Sequence, residues 1–217
     1  MDLVDVVLPC LDEAAALPAV LAAIPAGYRA IVVDNGSTDG SPAAAAEHGA
    51  TVVHEPRKGY GAAVHTGLEH ATAEIVCFLD ADGSLDPAEL PRLVALVDGG
   101  RARLAVGRRV PVGRGTWPWH ARAGNLALAA ILRRRGLPVS DIAPMRAGRR
   151  TDLLDLGVRD RAFGYPLELL IRAARAGWPV VELDVAYRPR AAGTRSKVSG
   201  SVRGTLRAVR DMVAVLR

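Results

Sequence analysis

Residues 75 to 84, IVCFLDADGS, constrain this chain more than any other stretch. Ile75 to Leu79 form an unbroken apolar run, long enough for a buried strand and too short for an independent helix. The run breaks into Asp80-Ala81-Asp82-Gly83, two carboxylates one residue apart on a turn. Open α/β sheets bind their ligands where the strands end. Hard oxygen donors at such a point suit Mg²⁺ or Mn²⁺ shared with a substrate diphosphate. A D-x-D turn also arises by chance, so the rest of the chain has to decide between a metal site and a plain surface turn.

Short apolar runs alternate with helical patterns through the first half. Strands are predicted at Leu3 to Leu8, Ala30 to Val33, Thr51 to His54, Ile75 to Leu79 and Leu104 to Gly107. Between them, Leu17, Val20, Leu21 and Ile24 mark one helical face. Leu90, Leu93, Val94 and Val97 mark another, after an Asp86-Pro87-Ala88-Glu89 start signal. This alternation predicts a doubly wound α/β layer with a mainly parallel central sheet flanked by helices. The regularity stops at residues 110 to 150, where one helix is expected from about Ala121 to Arg135. A helix over 166–176, a half-buried strand over 179–187, a loop over 188–200 and a helix over 201–217 complete the reading. That last helix places Val202, Leu206, Val209, Val213 and Leu216 on one side, and Arg203, Arg207 and Arg210 on another.

With 217 residues and no internal repeat, one domain with a sizeable core is expected. No apolar run approaches the roughly 18 to 20 residues of a membrane span. The acidic start, MDLVDVVLPCLDE, lacks the basic flank of a signal peptide, so the expected location is cytoplasmic. Cys10 and Cys77 sit in or beside strand-like runs and read as reduced, inert thiols. His65 and His70 are five apart and do not make a zinc pair. Of the net +5, residues 188 to 217 hold eight bases against one acid, which leaves the remainder at −2. A basic C-terminus points to an anionic partner or to a solvated helix, and peripheral contact with an anionic membrane is the most it implies. Nucleic acid is disfavoured, because Asp80 and Asp82 repel a polyanion unless metal is present.

Four motifs then fall in order: VVLPCLDE (6 to 13), IVVDNGSTDGS (31 to 41), RKGYGAA (57 to 63) and FLDADGS (78 to 84). Together they resemble glycosyltransferase family 2, the inverting nucleotide-sugar transferases with the GT-A fold. Further along, GRR (107 to 109), Asp141 to Arg146, FGYPLEL (163 to 169) and YRPRAAGTRSKVSGS (187 to 201) resemble the branch that glycosylates polyprenyl and dolichyl phosphates. Cys10-Leu11-Asp12 departs from that branch's usual aromatic and Asn before Glu13, and Ser84 stands where it often carries Gln. The resemblance implies one GT-A domain: a nucleotide-sugar half (1–109), an acceptor half (110–200) and the basic helix (201–217).

It also implies roles. Asp82 binds Mg²⁺ or Mn²⁺, while Asp80 shares the metal or faces the ribose, with Ala81 between them. Asp34, with Asn35 and Ser37, and the loop of Pro9, Asp12 and Glu13 hold the base or ribose. Lys58, Gly59 and Gly61 offer a loop whose backbone can approach the nucleotide beside a cation. A phosphate acceptor, already ionised, needs cations rather than a base, and Arg109, Arg122, Arg195 and Lys197 are the candidates. A hydroxyl acceptor needs a base, for which Asp141 and Glu168 are the carboxylates to test. Asp82, Arg109, Arg122, Asp141, Glu168 and Lys197 are thus the catalytic candidates. Trp117 and Trp119 suit an acceptor pocket, a core or an interface equally. The donor is GDP-mannose or UDP-glucose, and the acceptor a polyprenyl phosphate or a soluble hydroxyl compound. A non-catalytic nucleotide-sugar or polyanion-binding protein is the competing class, and homo-oligomerisation stays open.

Overall fold

A computed structural model describes residues 4–113, 116–117, 119–134, 136–137, 139–191 and 202–216. Seven strands form one sheet: β1 (Val4–Cys10), β2 (Tyr28–Asp34), β3 (Thr51–His54), β4 (Ile75–Phe78), β5 (Leu104–Pro111), β6 (Met145–Arg149) and β7 (Val180–Tyr187). Their spatial order is β3-β2-β1-β4-β6-β5-β7, and β6 alone runs antiparallel to its neighbours. The helices are α1 (Leu17–Ala22), α2 (Ser41–Glu47), α3 (Tyr60–His70), α4 (Leu90–Asp98), α5 (Trp119–Arg134), α6 (Arg150–Asp155), α7 (Tyr165–Arg175) and α8 (Val202–Leu216).

Strand alternation divides the core between the two faces. On β1, Val6 and Leu8 pack with α1 and α4, whereas Val7 packs with α3 and α7. Both faces are therefore covered, as a parallel sheet requires. Each fully buried leucine, such as Leu8, Leu68 and Leu93, contributes about 1.5–3 kcal/mol by leaving water. β1 runs on through Pro9, and Asn35 N donates to the Cys10 carbonyl at 2.9 Å just beyond it. Asp86 caps a 3₁₀ turn over Pro87–Glu89 rather than α4 itself, accepting from Ala88 N at 3.0 Å.

Three elements differ from the sequence expectation, and one of them, α6, was not expected at all. β6 lies inside residues 110–150, where only one helix was expected, because MRAGR shows neither alternation nor an apolar run. Its place between β4 and β5 is a property of the sheet. On α8, the buried side carries Ala208 and Asp211, with Met212, Val215 and Leu216 packed on the core, while Val209 and Val213 are 53% and 43% exposed. The apolar face read from periodicity is thus partly turned outward.

The chain winds from β1 to β2 to β3, then returns to place β4 on the other flank of β1. Such a reversal opens a crevice beyond the C-terminal ends of the two adjoining strands. Here those are the ends of β1 and β4.

Candidate active site

The loop after β1 and the loop after β2 are tied to each other. Asp12, at φ +53°, accepts from Thr38 N at 2.8 Å, and its own N–H donates to Ser37 Oγ at 3.0 Å. Glu13 N donates to Ser41 Oγ at 2.9 Å. Asp34, buried at the end of β2, accepts from Ser37 N at 3.0 Å and faces His54 Nδ1 at 3.1 Å. Burial pushes the Asp34 carboxyl up, but bonds from Ser37, Gly36 and His54 outweigh it and hold it below the usual range. Pro9 is half-buried at the same strand end.

Asn35 is an organiser of the neighbouring loop. Its amide donates to the carbonyls of Glu55 and Arg57, both at 2.9 Å, and its Oδ1 accepts from Gly59 N at 2.8 Å. The glycines of RKGYGAA serve packing here. A Cβ on Gly59, whose φ is +148°, would meet Arg161 O at 2.1 Å, and one on Gly61 would meet Tyr165 Cβ at 2.7 Å. Gly61 N and Ala62 N donate to the carbonyls of Ala162 and Arg161 at 3.0 and 2.8 Å. Those amides, expected to approach a nucleotide, are occupied by the 161–162 backbone, and Lys58 is an exposed cation beside them, as is Arg57.

Asp80 and Asp82 follow β4 as expected. Tyr60 Oη donates to Asp80 Oδ1 at 3.2 Å. Burial, then the charge of Asp82, push the Asp80 carboxyl up to about 6. Asp82 is buried, its Oδ1 accepting from Ser84 N at 2.8 Å and its Oδ2 lying 2.9 Å from Arg190 Nη2. Ala81 is buried between them. Among the described residues no cluster of three or more His, Cys, Asp and Glu forms. Two hard carboxylates, one destabilised by the other and one already drawing a cation, fit a divalent ion that takes its remaining ligands from a diphosphate.

Opposite, Arg109 and Asp141 make a rigid pair. Arg109 Nε and Nη2 reach Asp141 at 2.8 and 2.7 Å, and the Arg109 backbone N–H adds a third bond at 2.9 Å. The guanidinium carbon lies 4.2 Å from the centre of the Trp117 ring and 5.5 Å from that of Tyr187. Burial pushes the Asp141 carboxyl up, but Arg109 outweighs it and holds it below the usual range. The turn behind is braced: Ser140 N and Asp141 N donate to Glu182 Oε1, and Ile142 N donates to Asn125 Oδ1. Arg146, only 3% exposed, donates to the carbonyls of Ala143 and Ile142, and burial lowers its pKa to about 10.

Two expected residues stand elsewhere. Arg122 is exposed on α5. Glu168 lines a cavity of about 370 Å³ between α7 and α8, where it accepts from Arg159 N, Asp160 N and Arg172 Nε. Those bonds brace a loop, and none of them links Glu168 to the strand-end carboxylates. Arg195 and Lys197 lie outside the described residues. Tyr60, Arg146, Glu182 and Arg190 were not anticipated. Tyr60, Arg146 and Arg190 lie within the motifs named above, but no spacing rule assigns them partners.

The sequence profile described as glycosyl transferase family 2 matches residues 5–157. An uncharacterized glycosyltransferase of Mycobacterium tuberculosis is 62% identical over 216 residues, covering 99% of this chain and 98% of the relative. Polyprenol monophosphomannose synthase of Mycolicibacterium smegmatis is 34% identical, covering 90% of this chain and 81% of the relative. Glucosyl-3-phosphoglycerate synthase of M. tuberculosis, solved with Mn²⁺, UDP-glucose and glycerol 3-phosphate, superposes with a TM-score of 0.77 at 25% identity. That match covers 99% of this chain and 79% of the solved one. With its GT-A sheet, its profile match and these relatives, the chain belongs to glycosyltransferase family 2 and is a glycosyltransferase.

Proposed function

We propose that this enzyme moves a hexose, with inversion, from a nucleotide diphosphate sugar such as GDP-mannose or UDP-glucose to a polyprenyl-phosphate-type acceptor. Mg²⁺ or Mn²⁺ would be held at Asp80 and Asp82. The observation that carries this reading is the juxtaposition, near the C-terminal ends of β4 and β5, of the Asp80–Asp82 carboxylates with Arg109, a cation fixed by Asp141 whose charge reaches Asp80.

When bound, the divalent cation offsets charge developing on the departing diphosphate. Asp34 and the Asp12–Glu13 loop orient the base and ribose, with Asn35 and Ser37 fixing the geometry of that wall. Arg109 spends Nε and Nη2 on Asp141, so its Nη1 edge can meet an acceptor phosphate without the side chain having to reorganise. An ionised phosphate oxygen attacks the anomeric carbon from the face opposite the leaving group, so the configuration inverts and no general base is needed. Asp141 locked on Arg109, and Glu168 saturated by backbone N–H groups, are both poorly suited to proton abstraction. That favours a phosphate over a hydroxyl acceptor, in keeping with the name of the M. smegmatis relative. The solved synthase with glycerol 3-phosphate favours a second reading, transfer to a soluble acceptor.

Peripheral membrane contact through α8 belongs to the same proposal: Val209 and Val213 are exposed beside Arg210, whose side chain is 78% exposed. Among the described residues no helix is long and apolar enough to cross a membrane.

A thermal-shift screen of UDP-, GDP- and TDP-sugars, with and without Mn²⁺ or Mg²⁺, identifies the donor, since a ligand of the folded state raises Tm. Transfer of labelled hexose to undecaprenyl phosphate, compared with glycerol 3-phosphate, then separates the two acceptor readings. Asp82→Ala is expected to lose at least about 10³-fold in kcat/KM, measured on the folded fraction because the change also removes the partner of Arg190. Donor binding without turnover on any acceptor would leave a binding protein instead.

A further inference from the structure

Arg190 crosses the crevice between the ends of β1 and β4. Its Nη2 lies 2.9 Å from Asp82 Oδ2 and its Nη1 3.4 Å from Glu13 Oε1, with 29% of the side chain exposed. The backbone that carries it is fastened along the loop after β4. Tyr187 bridges Leu85, Arg188 N donates to Ser84 O at 2.9 Å, and Ala191 N donates to Asp82 O at 3.1 Å. Arg188 adds an exposed contact to Asp86 at 3.1 Å. The sheet reversal and this strap together deliver one guanidinium to the carboxylate read above as the metal ligand.

A guanidinium and a divalent cation repel at such range and cannot share Asp82 Oδ2. Metal arriving alone has to displace Arg190 from Asp82, which leaves it, among the described residues, only the longer 3.4 Å contact to Glu13. A diphosphate arriving with the metal supplies the missing partner, because a phosphate accepts a guanidinium through two parallel hydrogen bonds. We propose that Arg190 is an internal counter-ion that closes the metal site of the empty enzyme and is exchanged for the divalent cation when a nucleoside diphosphate binds. The inference rests on the reading of Asp82 as a metal ligand. It makes metal and nucleotide binding mutually dependent beyond their direct contact, and that coupling must be reciprocal. It also keeps the empty enzyme from holding free metal. Arg190 acts here as a positioning residue that gates the site.

The test is a Mn²⁺ titration followed by electron paramagnetic resonance of the free ion, on the parent, Arg190→Gln and Arg188→Ala. Each is titrated without nucleotide and with saturating UDP, GDP or dTDP. Arg190→Gln is expected to bind Mn²⁺ alone about tenfold more tightly than the parent, and its enhancement by nucleotide should shrink correspondingly. Arg188→Ala, at an exposed contact that folding does not depend on, loosens the same strap and should shift nucleotide-free affinity the same way by about two- to threefold. It carries the test should Arg190→Gln fail to fold. An ordinary structural ion pair would destabilise the fold on removal without raising metal affinity. Mn²⁺ binding to the nucleotide-loaded parent, with no gain in either variant lacking nucleotide, overturns the counter-ion role alone. Absence of Mn²⁺ binding to the parent with all three nucleotides overturns the metal-dependent reading and this one with it.

Discussion

Asp5 and Asp80 are carboxylates at opposite ends of two adjoining strands, β1 and β4, and their surroundings differ in kind. Asp5, on β1 near its N-terminal end, is fully buried and accepts four hydrogen bonds. Arg29 supplies two at 2.7 and 2.8 Å, and the Thr72 and Ala73 amides supply two at 2.7 and 2.9 Å. Burial pushes its carboxyl up, but those partners outweigh burial and hold it below the usual range. Asp80, beyond the C-terminal end of β4, has one hydrogen-bond donor among the described residues, Tyr60, and a second carboxylate beside it. Its carboxyl is pushed up to about 6. A carboxylate whose charge is satisfied by its own chain stabilises the fold, and one compensated only in part is available to a ligand.

The contrast can be broken most directly at Asp5. Asp5→Asn removes one partner of a buried pair and should cost about 2–4 kcal/mol in urea melts, the lower part of the usual range because Arg29 is 37% exposed. Donor binding by the folded fraction should be unchanged. Loss of binding at full stability would put Asp5 in the site and dissolve the distinction.

Asp80→Asn should act in the other direction. Removing a charge that burial and Asp82 disfavour is expected to raise the stability of the empty enzyme at pH 7 by about 1–2 kcal/mol. Stabilisation by metal plus nucleotide should be lost in the same variant. A destabilised Asp80→Asn would mean that the ionised carboxylate is compensated by its neighbours after all.

The pH dependence sharpens the same comparison. The folded-state pKa of Asp80 is raised, so its contribution is full below about pH 4, its unfolded value, and is lost as pH rises through about 6. That of Asp5 is lowered, so its contribution is present above about pH 4 and is lost as pH falls below it. Stability curves should therefore lose the decline between about pH 4 and 6 in Asp80→Asn, and part of the acid limb in Asp5→Asn. The smallest effect serves as the baseline. Arg108→Ala removes an ion pair to Asp184 whose side chains are 41% and 57% exposed, and should change stability by under about 0.5 kcal/mol.

Most of the donor side was legible in the sequence. Apolar runs of strand length ending in Asp, Asn and Gly located β1, β2 and β4, and the motif order placed Asp12, Asp34, Asp80 and Asp82 at strand ends. The acceptor side was less legible. Arg109 and Asp141 were both named, yet their bidentate pairing joins residues 32 apart, Asp141 standing in the turn that leads into β6, a strand with no sequence signature. The glycines at 59 and 61 were visible, but their reason was not: they admit the 161–162 backbone, a hundred residues further on.

What the sequence by itself determined was local: hydrophobic periodicity, strand-end turns, the carboxylate pair and the basic balance of the last thirty residues. Those follow from the chemistry of neighbouring residues, and so they survive without a fold. The tertiary structure alone decided which charges compensate one another. Arg29 reaches Asp5, Arg109 reaches Asp141 and Arg190 reaches Glu13 and Asp82 only because the sheet order and its reversal at β1 bring distant segments within a few ångströms. Coulomb interaction depends on that distance and on burial, and neither is written in the spacing of residues along the chain.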